Sequence, residues 1–448
     1  MSTLDGSILN IANPTIASSL SVSMKQVQWV VTAYMLVITS SLIVLGKLGD
    51  RVGNGRIYAL GFLVFTSGSL FCSLSSTLVL LIISRIIQGI GASMMMATGI
   101  GIVSNTFPAA ERGKALGLTG SMVGIGNMTG PTIGGFLVAN FNWPVIFIIN
   151  IPIGLLGFFV ACRILPSQAV EKDAKPFDIT GTILFAIAVI AMTSGLSANE
   201  TINSALLGTG FFLLLLFLYW EKKVPFSMLD LQLFKIDRFL YGNLMGFFAY
   251  FSQTFAIFLT PFYLESLLHF SPAKSGMIMT IPPLVMTVTA PIAGNLSDKL
   301  GSARLTSTAF SLLMGAHLIL SSFGISTDIY KICGGLALLG CGMGFFGSPN
   351  NSTILGSVPR EKAGYTGGFV STVRNFSFSL GIASSVSIFT YLLVSFQQET
   401  SYASAYVLAH SFVFKISAFI TFIGLVISLL SSKYTASRNK VTDFDPEV

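Results

Sequence analysis

Asp5 is the residue whose chemistry is hardest to explain away, because it is a carboxylate placed inside a predicted apolar helix, near 1–20. An ionisable group inside a membrane-type helix is costly to bury and marks a functional site by default. A carboxyl that alternates between an apolar and a cationic environment can take a proton from one side of a barrier and release it on the other. Arg85, in the fourth apolar run, is the matching cation, since a buried guanidinium needs a counter-ion. The plainer reading is that Asp5 caps or anchors a helix near the interface. A second constellation is steric. Gly126, Gly130 and Gly134 recur every four residues and share one helix face, which permits very close packing. Pro131 removes a backbone donor beside Gly130 and bends that helix, with Gly135 following. Cys72, Cys162, Cys333 and Cys341 lie in apolar runs without a CxxC pair and read as small hydrophobes, so no disulfide framework and no metal site is expected. His317 and His410 read as packed within helices, and Lys415 as lining a bundle or snorkelling.

These residues need long apolar helices to hold them, and the composition supplies them. The 448 residues are 52% hydrophobic and only 10% charged, with a mean hydropathy of +0.78. A soluble chain has about 25% charged residues, so this one could not cover its apolar surface in water. No cleavable signal precedes the first segment, as expected where the first helix itself directs insertion. Runs near 1–20, 26–46, 57–75, 77–104, 112–138, 143–164 and 179–198 each have the length of a span. Seven more lie near 203–220, 239–264, 273–296, 304–324, 329–356, 364–395 and 405–431, and fourteen spans are expected. Among these, Asp5 reads as the only carboxylate clearly inside a span. Nineteen of the 25 Lys and Arg residues fall in alternate loops or the tail, among them Lys47, Arg112, Arg163, Lys222, Arg360 and Lys433. Lys25, Lys274 and Lys331 occupy the opposite loops, and Arg85, Arg374 and Lys415 lie in helices. The positive-inside rule then puts both termini in the cytoplasm and explains the net charge of +7 without nucleic acid.

The chain also repeats itself. Gly46, Leu48, Asp50, Gly53 and Arg56 return as Gly294, Leu296, Asp298, Gly301 and Arg304 at a constant offset of 248, with Arg51 replaced by Lys299. Spread over eight helix-and-loop units the offset gives a normal 31 residues each, and over six an overlong 41. Two related six-helix halves separated by two extra helices are expected, with a site between the halves.

The Gly46–Arg56 loop resembles motif A of the major facilitator superfamily, and Gly294–Arg304 its weaker second-half copy. Arg85, Gln88, Gly89 and Gly91 resemble motif B, and Gly126, Gly130, Pro131, Gly134 and Gly135 match motif C, the antiporter signature. Leu4–Pro14 resembles the first-helix motif of the fourteen-spanner drug:proton antiporter subfamily. Asn142-Trp143, Ile149–Gly154 and Val358–Ala383 fit its sixth and thirteenth helices. The resemblance covers nearly the whole chain and implies an all-α membrane protein of the major facilitator fold. The parts are an N-terminal six-helix bundle (1–165), two inserted helices with linkers (166–235), a C-terminal bundle (236–432) and a cytoplasmic tail (433–448). It further implies that Asp5 and Arg85 couple protons, that the motif A contact latches the halves outward-open, and that motif C favours exchange over uniport. Two departures stand out. Asn54-Gly55 replaces the usual basic pair, which would weaken the latch. Asp5 comes four residues after Met1 where the family has about a dozen apolar residues, more than half a span. A start upstream of Met1, or Asp5 near the cytoplasmic surface, would account for it.

Helices 1, 2, 4 and 5 and their counterparts would line the cavity. Trp29, Tyr34, Gln88, Met94, Met95, Asn150, Tyr250, Gln253, Phe345, Phe346, Asn350 and Arg374 are its candidate residues, against the default that aromatics and Met face lipid or neighbouring helices. The leading expectation is an exporter of drugs or other amphiphilic molecules driven by the proton gradient, without a cofactor. The alternative is a narrow exporter of a metabolite, peptide antibiotic or siderophore. A membrane enzyme is disfavoured because HExxH, GxSxG and P-loop patterns are missing, and a receptor because the tail is too short for an output domain. The expected partners are the small molecule, protons and the bilayer of the cell membrane, with neither nucleic acid nor an obligate protein partner.

Overall fold

In lipid an unpaired backbone amide has no water to bond, so apolar stretches of this length are stable as helices that satisfy themselves. The computed structural model describes residues 1–106, 109–165, 178–197, 203–224, 229–359 and 362–442, which are almost wholly helical. The first half holds α1 (Ser2–Ser19), α2 (Met24–Val52), α3 (Asn54–Ser73), α4 (Leu78–Thr106), α5 (Ala109–Phe141), α6 (Val145–Ile148) and α7 (Asn150–Ile164). Then come α8 (Ile179–Ser197) and α9 (Ser204–Glu221). The second half holds α10 (Asp237–Phe262), α11 (Pro272–Met279), α12 (Ile281–Leu300), α13 (Ser302–Ser321), α14 (Ile329–Gly356), α15 (Ala363–Gln397) and α16 (Tyr402–Thr442).

Local sequence explains the starts. Ser23 and Gln26 form a reciprocal capping box at α2, while Asn203, Ser271 and Asp328 accept amide hydrogen bonds at the starts of α9, α11 and α14. Two expected spans are broken. The 143–164 span divides at Ile149 into α6 and α7, and the 273–296 span divides at Thr280, where Pro282 and Pro283 open α12. The α10 span runs past 264, because a π-helical turn, Tyr263–Leu267, prolongs it. That turn carries Glu265 into the span, so Asp5 is not the only carboxylate there.

Among the described residues eleven stretches are long and apolar enough to cross a membrane, rather than the fourteen expected. Helices α1, α2 and α5, of 18, 29 and 33 residues, are not among them. In α1 the reason is visible in its polar start, Ser2, Thr3, Asp5 and Ser7. Helices α8 and α9 pack on each other, and α8 touches α2 and α15 from outside. Their outward faces carry Ile183, Ile187, Phe211 and Phe212, as lipid contact requires.

The repeat is visible in the backbone. Gly53 and Gly301, 248 residues apart, are the two glycines with positive φ (107° and 83°) among the described residues. Each ends the second helix of its half and starts the third, and its amide donates to Gly49 O or Ser297 O at 2.8 and 2.9 Å. A residue with a Cβ is strained in that conformation. The halves also meet reciprocally: α5 packs on α11 and α12, its counterpart α15 on α2, and the first helices α1 and α10 on each other. The side chains of Lys47, Asp50 and Asp298, the linker 166–177 and the end 443–448 lie outside the described residues, so the expected motif A latch is not described, while α16 runs on through the expected tail as far as Thr442.

Candidate functional site

Four helices of the first half converge on Asp5. From α1 its carboxylate meets Arg85 of α4, whose Nη1 lies 2.6 Å from Oδ2. Gln88, one turn further along α4, donates from Nε2 to Oδ1 at 2.9 Å, and Asn150 donates from Nδ2 to the same oxygen at 2.8 Å. Asn150 reaches the site because the break at Ile149 makes it the first residue of α7. Gln88 Nε2 also donates to Ser69 Oγ of α3 at 2.8 Å, and Arg85 donates to Gln88 Oε1 and to the Val30 carbonyl of α2. The ring of Tyr34 lies 4.0 Å under the guanidinium, a cation–π contact. Arg85 is fully buried and Asp5 only 2% exposed, so the pair is enclosed by protein.

A buried ion pair holds together only if its remaining lone pairs and protons are bonded as well. Here Asp5 is satisfied, but Arg85 Nη2, the Tyr34 hydroxyl and Asn150 Oδ1 are buried without a partner among the described residues. Orphaned polar atoms of this kind call for a function. The trio offers a donor, a hydroxyl and an acceptor beside a neutral ion pair, a set that can receive a proton carrier or the polar end of a ligand.

The other expected site residues divide. Gln88, Asn150 and Tyr34 belong to the Asp5 cluster. Trp29 lines a cavity of about 230 Å³ between α2, α4 and α8, walled almost entirely by apolar side chains such as Leu36, Ile86 and Phe185. Met95 packs with Tyr34 and Phe65. In the second half Asn350 Nδ2 ties α14 to the Gly242 carbonyl of α10. Phe346 and Phe378 stand edge-on to Tyr250 at 6.1 and 5.8 Å, and Arg374 is half-buried on α15, one turn before Phe378. Gln253 is half-buried on α10. Ser69 and the Val30 carbonyl could not be found from sequence, since nothing local distinguishes them.

Motif C faces two ways. A Cβ on Gly130 would collide with Ser7 Oγ, and one on Gly134 would lie 3.1 Å from the Ile8 carbonyl, so α5 lies directly on α1. Gly126 faces Thr3 and Leu4 of α1 at ordinary contact distance. Gly135 faces the second half, where a Cβ would strike Pro272 O, while one on Gly276 would strike Pro131 O. Across this seam Thr132 and Thr280 share a hydroxyl hydrogen bond of 2.6 Å. In motif A, Asn54 is buried between Gly49 and Gly101, and Arg51 and Arg56 each make a contact. Gly46 faces Ala97 of α4 and Gly294 faces Ser348 of α14, the same helix pair in each half, and Arg304 opens α13.

The description "Major Facilitator Superfamily" fits residues 1–382. The chain is 48% identical over 437 residues to the riboflavin transporter RibZ of Clostridioides difficile (strain 630), covering 97% of this chain and 95% of that one. It is 31% identical over 388 residues to the uncharacterized transporter YebQ of Escherichia coli (strain K12), covering 86% and 85%. To the multidrug transporter protein MdtP of Bacillus subtilis (strain 168) it is 31% identical over 350 residues, 77% of this chain and 64% of that one. Its fold matches the inward-facing, occupied bacterial homolog of the human lysosomal transporter Spinster with a TM-score of 0.70, at 13% identity over 96% of this chain and 94% of the other. This chain belongs to the major facilitator superfamily and is a multi-pass, all-helical membrane transporter of small molecules, not an enzyme.

Proposed function

We propose that the chain exchanges protons for a flat, aromatic metabolite of the riboflavin type across a bacterial cell membrane, by alternating access. The carrying observation is the buried Asp5–Arg85 pair with three orphaned polar atoms beside it. A proton arriving on Asp5 removes the counter-ion of Arg85, which must then find another partner or let α1 and α4 shift. That is how a proton could bias one arrangement of the halves over the other. The likeness to a riboflavin transporter over 97% of the chain favours a metabolite, and the Tyr250, Phe346 and Phe378 cluster beside Arg374 suits a planar ring with polar edges. The several multidrug relatives near 30% identity support a second reading, broad export of amphiphilic drugs by the same machinery.

We also infer fourteen spans, by adding α1, α2 and α5 to the eleven. All three are helical and packed against other helices, and their count agrees with the loop charges. Both termini are then cytoplasmic, and the motif A turns at Gly53 and Gly301 lie on that face.

Everted vesicles with an imposed pH gradient test the reading. Riboflavin flux should follow the gradient and stop when a protonophore collapses it. If riboflavin neither moves nor alters the gradient while ethidium does, the chain is a drug exporter. If riboflavin moves regardless of the gradient, proton exchange is wrong.

A further inference from the structure

The π-helical turn at the end of α10 places a second carboxyl where the two halves meet. Leu268 N bonds to Tyr263 O and Phe270 N to Leu264 O, so the chain leaves α-helical register there. Single π turns in helices are frequent at functional sites. Glu265 of this turn lies against Thr15 of α1, in the opposite half, and against Ser275 of α11. Its Oε1 is buried without a hydrogen-bond partner among the described residues, and so is the Ser275 hydroxyl. Ser275 adjoins Gly276, the residue in backbone contact with Pro131, so Glu265, itself half-buried, sits beside the close-packed seam.

Among the described residues no cation pairs with it. Helix α1 carries no ionisable side chain but Asp5, which lies ten residues before Thr15, about 15 Å along the helix. From α11 the sole ionisable group is Lys274, whose Nζ sits 3.4 Å over the Phe270 ring. On its own turn Tyr263 donates to Gly324 O, and His410 stacks behind Tyr263 at 4.8 Å within the second half. His269, just beyond, is exposed. From the rest of α10 the ionisable groups are Asp237 and Arg238 at its far end and the tyrosines 241 and 250. An isolated carboxylate in such a place is costly, whereas a neutral carboxyl between two hydroxyls is not.

We propose that Glu265 is a second proton-binding carboxyl of the transport cycle, which holds its proton while this seam is closed and releases it when the seam opens to water. The proposal rests on the reading of the chain as a proton-coupled transporter. Helix α1 joins the two carboxyls, touching Arg85 at one end and Glu265 at the other. Seam opening and the state of the Asp5 pair are thereby linked through one rigid element.

The test uses the full chain in lipid nanodiscs, with its four cysteines replaced by serine and spin labels at Asn140 and Ile325, exposed positions at the same end of opposite halves. Distance distributions are recorded from pH 5.5 to 8.5. One linked proton raises the open-to-closed ratio by at most about tenfold per pH unit, so the wide population should grow with pH. Glu265→Gln should remain closed throughout, and Glu265→Asp should restore the pH dependence. A Glu265→Gln profile that follows the parent overturns the proposal, as does a parent profile independent of pH. Because the readout needs no transport, its failure is separable from that of proton coupling, which the vesicle flux measures. Flux that ignores the gradient, with a profile still governed by Glu265, would sink the coupling and leave the seam proton.

Discussion

Replacing Asp5 by asparagine should separate the ion pair from the rest of the protein. The carboxylate accepts from Arg85, Gln88 and Asn150, with the last two on one oxygen. An amide has a single acceptor atom, so whichever way the substituted side chain turns, its NH2 confronts a donor. At least one charge-assisted hydrogen bond is lost, worth about 1.5–3 kcal/mol. Arg85, with no exposed surface, is left as an uncompensated charge, and breaking a buried pair from one side costs about 3–5 kcal/mol in all. The loss should appear as a lowered midpoint of thermal unfolding in mild detergent. The double variant Asp5→Asn with Arg85→Gln removes both charges and should recover much of that loss, while proton-driven flux stays absent in both. Flux of unchanged pH-gradient dependence in Asp5→Asn would refute the site. A double variant less stable than either single one would refute the energetics.

Two further outcomes follow from backbone geometry. Gly276→Ala puts a methyl on the Pro131 carbonyl. Overpacking of about 1–3 kcal/mol should then fall on the closed seam alone and widen the Asn140–Ile325 spin-label distance at every pH, whereas Gly208→Ala, with open space around it, should not. Gly53→Ala and Gly301→Ala should each destabilise by about 1–3 kcal/mol and by similar amounts, because both hold the same positive-φ hinge; one harmless substitution in unfolding scans would contradict the equivalence of the halves.

Much of this molecule is written locally. Membrane residence follows from 52% hydrophobic and 10% charged residues. The repeat follows from the 248-residue offset, and Gly53 and Gly301 bear it out as matching backbone hinges. The close-packing face of Gly126, Gly130 and Gly134 is legible because helical spacing puts them on one side, and α1 lies on it. The pairing of Asp5 with Arg85 was legible too, since each needs an opposite charge and few are present.

Tertiary structure decided what those local signals could not. Gln88 and Asn150 looked like cavity residues, and only the convergence of α1, α4 and α7 shows them spent on Asp5. Glu265 falls just outside the span expected near 239–264. A π turn has no sequence period of its own, so nothing announced that the helix ran on. Whether a carboxyl meets a cation or a pair of hydroxyls depends on residues far away in the chain. Apolar period and charge are properties of neighbours along the chain, whereas a site between helices is a property of how their faces meet.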